Sequence, residues 1–330
     1  MITTDQVEEE LSRPTASDIE SLRQLDGDIL ILGAGGKMGP TLVQRAFRAS
    51  VASGRKREII AVARSGEFPS AVRRIAADVL DPESVKKLPD APNIIYLVGR
   101  KFGSAGNEVM TWATNAMVPV LVGLRYRHSR IVVLSSGNVY PFVQPGSGGA
   151  IETTPPAPLG EYAQSVLARE RVFEYFTQVD GTRVAIMRLN YAVEPRYGVL
   201  VDIAAKILAG TPLDLSMGYV NVIWQSDANS ICLRALCHCE APARVFNLTG
   251  DIHSVRDLAR RIGERLRRQP VFVGEEADTA LLINSGACRE LFGAPQTEIA
   301  EMIERTARWL EGGGTTLGKP THFETRNGRF

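Results

Sequence analysis

The residues whose spacing points to chemistry begin with a cluster of glycines. Gly33, Gly35, Gly36 and Gly39 take four of seven consecutive positions, with Ala34, Lys37 and Met38 between them. An apolar run of strand length, Ile29 to Leu32, precedes them, and a helix-compatible stretch from Thr41 to Ala49 follows at once. Strand, glycine turn and helix form the context in which G-x-G-x-x-G reads as a dinucleotide-binding turn. Gly33 allows the tight turn off the strand. Gly35 or Gly36 lets backbone N–H groups approach a pyrophosphate with no Cβ in the way, and Gly39 lets the helix pack close to the sheet. The helix N-terminus adds unpaired N–H groups and partial positive charge.

A second strand, Glu58 to Ala63, ends at Arg64-Ser65. The residue at this strand end meets the adenosine ribose of a bound dinucleotide, and a carboxylate there repels a 2′-phosphate. This chain offers Arg64, whose planar fork suits a phosphate. A charge-assisted bond of that kind contributes about 1.5–3 kcal/mol, enough to favour NADP over NAD by about tenfold.

These residues need a sheet behind them, and the chain provides its strands. Ile75 to Val79 reads as a third strand, with a helix starting at Asp81-Pro82. Asn93 to Val98 reads as a fourth, ending in Gly99, and Arg130 to Leu134 as a fifth after a helix spanning about 107–126. Near-continuous apolar strands suit a parallel sheet covered on both faces. The reading is an α/β, Rossmann-type doubly wound parallel sheet with a small C-terminal substrate lobe. Residues 1–27 form a helical extension, with capping-box spacing at Ser17 to Glu20. Residues 28–190 form the dinucleotide-binding domain, and 191–311 a lobe interleaved with the last sheet elements. Gly312-Gly313-Gly314 release a tail, 315–330, whose Phe323 and Phe330 suit docking.

Composition narrows the partners. With 38 basic and 37 acidic residues among 330, the formal charge is +1, which gives no global field for nucleic acid or an anionic membrane. No apolar run approaches the ~18 residues that span a bilayer. Four cysteines without regular spacing, and an acidic N-terminus (Asp5, Glu8, Glu9, Glu10), suit a reducing cytoplasm. Cys237-His238-Cys239 gives no metal site, because i and i+2 on a helix face apart.

Past the fifth strand comes Ser135-Ser136-Gly137-Asn138-Val139-Tyr140, then a loop with Glu152 and Pro155-Pro156-Ala157-Pro158. The helical segment Tyr162-Ala163-Gln164-Ser165-Val166-Leu167-Ala168-Arg169-Glu170 follows. With the glycine loop, these resemble the extended short-chain dehydrogenase/reductase family, the NAD-dependent epimerase/dehydratase group. The resemblance continues through Met187 to Tyr191, Trp224 to Ala228, Ile283 to Ser285 and Leu291 to Gly293, covering about 28–311. It implies a nicotinamide cofactor held by Gly33, Gly35, Gly36, Lys37, Met38 and Gly39, with Asp78 and Val79 near the adenine. Leu97, Val98 and Gly99 would line the nicotinamide side, and Asn115 matches a structural asparagine. Ser136 matches the hydroxyl that orients the reacting oxygen, and Tyr162 the acid/base. Asn138, Asn190 and Tyr191 would face the substrate, a hydroxylated or carbonyl small molecule such as a sugar derivative. A homodimer is implied on the same ground. A sugar nucleotide would need arginines for its diphosphate, and the basic run Arg260, Arg261, Arg265, Arg267 and Arg268 offers some, though a solvated basic face is its ordinary role.

The pattern breaks at one position. The family places a lysine four residues after the tyrosine, where its ammonium lowers the phenol's pKa, and this chain has Val166. Moving a phenol from about 10 to near 7 is worth about 4 kcal/mol. Three readings stand. A cation from elsewhere, Lys101 or Arg169, fills the space; another acid or base serves; or the protein is a nucleotide-binding regulator or scaffold without turnover.

Overall fold

The structure is a computed structural model that describes residues 2–101, 103 and 105–329. Two short helices, α1 (Thr4–Leu11) and α2 (Ala16–Gln24), lead into strand β1 (Ile29–Leu32). The chain continues through α3 (Gly39–Ser53), β2 (Ile59–Val62), β3 (Arg73–Ile75), α4 (Pro82–Lys86) and β4 (Asn93–Tyr96). Helix α5 (Glu108–Trp112) passes through a π-helical turn, Ala113–Met117, into α6 (Val118–Arg125). Strand β5 (Arg130–Ser136), helix α7 (Gly160–Val179) and strand β6 (Arg183–Leu189) follow.

The second half alternates short strands and helices. These are β7 (Ala192–Val193), α8 (Val199–Ala209), β8 (Leu213–Asp214), β9 (Tyr219–Asn221), β10 (Ile223–Trp224), α9 (Gln225–Arg234) and β11 (Arg244–Leu248). They continue as β12 (Ile252–Ser254), α10 (Val255–Leu266), β13 (Phe272–Val273), α11 (Gly286–Phe292) and α12 (Ile299–Glu311).

Seven strands form one parallel sheet in the order β11-β6-β5-β4-β1-β2-β3. Side chains alternate across it as strand geometry requires. Ile29 and Ile31 pack under α2, α3 and α9, while Leu30 and Leu32 face the layer holding Val118, Val122 and Phe173. All four β1 residues are fully buried, each contributing about 1.5–3 kcal/mol. A separate cluster builds the lobe from α8, α10 and α12, with Trp224 and Phe323 in it.

Several boundaries differ from the sequence reading. The third strand ends at Ile75, so Ala76 to Val79 are loop. The capping box of α2 is Thr15 with Asp18, two residues before the expected start, because Thr15 Oγ1 accepts from the Asp18 N–H and Asp18 Oδ2 from the Thr15 N–H. Asp18 is buried against Arg45 on α3, at 2.5 Å, and accepts from Ser230 on α9. The extension is thus pinned to the sheet domain. Gly314 is packed against the Trp309 indole, where a Cβ would sit 2.2 Å from the ring. The glycine triplet therefore makes a tight turn that redirects the chain back onto the lobe.

Candidate active site

The glycine loop has the geometry its residues predict. Gly33 turns with φ +78°, and a Cβ there would lie 2.9 Å from the Val98 nitrogen. At Gly39 a Cβ would lie 2.0 Å from the Ala34 carbonyl oxygen, so only glycine lets α3 start this close to the strand end. Among the described residues, no backbone carbonyl accepts from the N–H groups of Gly35, Lys37 or Met38. Helix α3 carries no acidic residue in its first turn. The loop thus presents donors and a helix dipole to an anion, as a dinucleotide's diphosphate needs.

The loop forms one end of a cleft of about 290 Å³. Its floor is the C-terminal end of the sheet, with Leu97 and Gly99 after β4 and Ser135 and Ser136 on β5. Its far wall is Asn138, Tyr162, Asn190, Tyr191 and Tyr197. Ser136 Oγ donates to Asn138 Oδ1 at 2.9 Å and accepts from the Asn138 N–H at 3.2 Å. Tyr162 is hydrogen-bonded to Ser136; burial pushes its phenol up, against the opposing pull of the Arg169 guanidinium and that hydrogen bond. Val98 is buried behind the floor. Tyr191 holds a left-handed backbone, φ 44°, which a non-glycine residue keeps only where its surroundings fix it.

Arg64, Asp78 and Val79 lie outside this cleft. Arg64 is exposed at the end of β2, and Asp78 is exposed and caps its own loop by accepting from the Leu80 N–H at 3.1 Å. None of Arg260, Arg261, Arg265, Arg267 and Arg268 lines it. Arg265 instead pairs with Glu304 and with Glu311, a solvated face of α10 and α12.

Val166 is fully buried in an apolar cluster with Val139, Tyr140, Ala150 and Ile283 and does not reach the cleft. One turn further along α7, Arg169 does. Its Nη1 donates to the Leu134 carbonyl at 2.8 Å and its Nη2 to Asn115 Oδ1 at 2.6 Å. A Cβ on Gly99 would lie 2.7 Å from Nη2, so this glycine makes room for the guanidinium. Arg169 is buried, with no ion pair among the described residues. Asn115 belongs to the π turn, where Pro119 has no N–H to give the carbonyl four residues back, so the helical ladder shifts. That shift sets Asn115 to bridge Arg100, Ser165 and Arg169.

Two lysines add charge. Lys101 Nζ lies 5.9 Å from the Tyr162 ring and 5.7 Å from that of Tyr191. Burial lowers its pKa to about 8, opposed by Asp202. Lys37 Nζ donates to the Ala192 carbonyl at 2.8 Å and sits 3.6 Å over the Tyr197 ring. Burial of that ammonium, with Lys101 and Lys319 nearby, brings it to about 7 against the pull of Glu194. Arg100, Tyr197 and Lys319 carried no signal of their own; they enter through folding of a distant loop, the lobe and the tail.

Behind the sheet end, a buried network holds Ser135, the neighbour of Ser136 on β5. The Ser135 hydroxyl donates to Glu170; Arg188 Nη2 pairs with Glu170 at 2.7 Å and Arg188 Nη1 donates to the Tyr140 hydroxyl at 2.6 Å. Tyr140 passes the chain to Asn247, whose N–H donates to Glu152.

With this arrangement in view, the comparisons place the chain. The family model of the NAD dependent epimerase/dehydratase family matches residues 29–249, and the chain belongs to that family. Solved structures share the fold. MoeE5 in complex with UDP-glucose and NAD aligns with a TM-score of 0.72 at 20% identity, over 87% of this chain and 99% of its own. UDP-glucose 4-epimerase of Thermotoga maritima, with UDP-glucose, gives 0.73 at 17% identity over 87% and 99%. An epimerase of Methanothermobacter thermautotrophicus gives 0.73 at 19% over 90% and 96%. No curated protein sequence matches the chain. No helix among the described residues is long and apolar enough to cross a membrane.

Proposed function

We propose that the protein is a nicotinamide-dinucleotide-dependent enzyme of the epimerase, dehydratase or reductase type, acting on a hydroxylated or carbonyl small molecule. The observation that carries this reading is Arg169. A guanidinium buried without a carboxylate is costly, and this one sits on the cleft floor, where its field acts on the Tyr162 phenol. Arg169, with Lys101 beside the Tyr162 ring, would supply the positive charge that Val166 does not. A bound nicotinamide would give or take the hydride. Ser136 would hold the substrate oxygen, and Tyr162 would pass a proton at its hydroxyl. Asn138, Asn190 and Tyr191 would face the rest of the substrate. Gly33 to Gly39, with Leu97, Val98, Gly99 and Asn115 behind them, would hold the dinucleotide, Asp78 and Val79 its adenine. Arg64 would favour NADP by pairing with the 2′-phosphate.

Exposed apolar side chains support a homodimer. Helices α5 and α6 expose Val109, Met110, Trp112, Val120 and Leu124, and α7 exposes Tyr175 and Val179. Exposed apolar side chains on helices that pack against one another suit a second copy. The four cysteines, none in a disulfide, suit a reducing cytoplasm.

A regulator that binds the dinucleotide without turnover is the second reading, favoured by Val166 and by the upward push on Tyr162. Absorbance at the reduced-nicotinamide band during a substrate screen decides between them. An enzyme changes it with some substrate and loses the change on Tyr162→Phe. Tight cofactor binding, no turnover and indifference to Tyr162→Phe would establish the regulator.

A further inference from the structure

The C-terminal tail crosses the substrate side of the cleft. Leaving α12, it bonds to the lobe when the Leu317 N–H donates to the Arg196 carbonyl and Thr321 donates twice to Asp202 on α8, at 2.7 and 2.5 Å. Phe323 is buried in the lobe core. Arg326 donates to the Thr279 carbonyl at 2.6 Å and stacks over Phe142. The tail then reaches α7, two residues before Tyr162. There Gly328 and Gly160 meet with no room for a side chain: a Cβ on Gly328 would lie 2.3 Å from the Leu159 carbonyl, and one on Gly160 2.3 Å from that of Gly328. The tail thus bridges lobe and sheet domain. Beneath Thr325 and Gly328, the space beyond Asn138 and Tyr191 shrinks to a void of about 20 Å³.

The tail also brings charge. Lys319 lines the cleft mouth, exposed and without a hydrogen bond or ion pair among the described residues. It joins Lys37 and Lys101 at the cleft lining, and both lie close enough to Lys37 to repel its ammonium, with Glu194 opposing them there and Asp202 acting on Lys101 from behind the lining. No Asp or Glu lines the cleft among the described residues. Lys37 is anchored to the lobe side, through the Ala192 carbonyl and the Tyr197 ring, and not to the glycine loop. Clustered ammonium groups at a wall that also carries serine, asparagine and tyrosine hydroxyl and amide groups suit a hydroxylated anion.

We propose that residues 317–329 are a specificity element: they shut the part of the cleft that a sugar nucleotide would need, and Lys319 completes, with Lys37 and Lys101, a site for a compact hydroxylated carboxylate or phosphate. A substrate whose reacting carbon lies at Ser136 and Tyr162 must extend away from the glycine loop, toward Asn138 and Tyr191. The void under the tail holds no nucleoside diphosphate. This inference rests on the dinucleotide reading above for the position of the reacting carbon.

The test uses the full-length protein saturated with NAD or NADP, titrated by calorimetry with gluconate, glycerol phosphate, neutral sorbitol and UDP-glucose. The anions bind and UDP-glucose does not. Lys319→Glu weakens the anions by about tenfold or more and leaves sorbitol unchanged. Gly328→Val, which cannot keep its contact with Leu159, releases the tail end and admits UDP-glucose. Binding of UDP-glucose to the unaltered protein as tightly as to Gly328→Val overturns the closed cleft. Failure of both anions to bind, or indifference to Lys319→Glu, overturns the anion site. Deleting 315–330 removes buried Phe323 and tests folding as well; Lys319→Glu changes only an exposed side chain. A separate cofactor titration isolates the dinucleotide reading: if neither dinucleotide binds, that reading falls, and UDP-glucose with and without the Gly328→Val change still reports on the tail.

Discussion

The two ends of the cleft are built by different means. The glycine loop is a backbone device: its function follows from where Cβ atoms cannot be, and every critical atom comes from seven consecutive residues. The reacting end is assembled from side chains that arrive from α7, the loop after β4, the lobe and the tail. A local device survives intact over wide sequence distance, whereas an assembled one can lose a member and take its replacement from another turn or another segment. In the function proposed above, Val166 and Arg169 would be that exchange on one helix.

The largest effects should come from breaking the backbone device or the buried frame behind the reacting end. Gly39→Val puts a side chain into the Ala34 carbonyl and should abolish dinucleotide binding while costing more than about 3 kcal/mol in a denaturant melt. Glu170→Ala leaves Arg188 buried and unpaired and should destabilise by about 3–5 kcal/mol. A melt within 1 kcal/mol of the unaltered protein, on the order of measurement scatter plus a surface change, would show that the network does not hold the frame.

Next in size is charge on the cleft floor. Arg169→Met keeps the volume and removes the cation, so turnover should fall by at least about a hundredfold if the charge is worth about 3 kcal/mol. Unchanged turnover would transfer the role to Lys101. A pH effect separates the lysines from Arg169, because Lys37 at about 7 and Lys101 at about 8 both lose charge in the same window. Lys37 has a folded-state pKa of about 7, below that of a free lysine near 10.4. Between those values the folded protein holds fewer protons than the unfolded chain, so this group makes stability rise with pH across that window. Anion binding at Lys37 runs the other way: a bound anion raises its pKa, so affinity should hold below about pH 7 and weaken as pH rises above it. Lys37→Met should remove the step near pH 7 and leave the one near 8 that belongs to Lys101. The smallest expected effect lies at Arg64, where Arg64→Ser should reduce a preference for NADPH over NADH by about tenfold and leave NADH binding unaltered.

The contrast also decides what the sequence could reveal. Six of the seven parallel strands were legible in place, β6 as Thr182 to Leu189 and β11 as Val245 to Leu248 among them, because apolar runs of strand length report burial on both faces, and the glycine loop because each glycine has a backbone reason to be there. Strand β3 was misplaced by two residues at its start and four at its end, since Arg73 and Arg74 sit at an exposed sheet edge and give no apolar signal. The helix 107–126 was legible in extent, but the π turn that aims Asn115 depends on Pro119 and tertiary packing. Arg169 was visible as a residue on the face of Tyr162, yet only the floor made by Gly99 and Leu134 selects it over Lys101 as the buried cation. The tail carried the least information. Its glycines and polar residues look the same whether the chain is loose or pinned, and what pins it is Asp202, Thr279 and Gly160, far away in sequence.

The most direct test of the account is a fluorescence titration of the cofactor-stripped protein with NADPH and NADH, run in parallel on Arg169→Met. The account predicts micromolar or tighter binding by the unaltered protein, NADPH preferred; Arg169 lines the floor beside Gly99, where the nicotinamide would lie, so Arg169→Met should bind about tenfold or more weakly. Absence of binding by either dinucleotide to the unaltered protein, or equal binding by the two proteins, would contradict it.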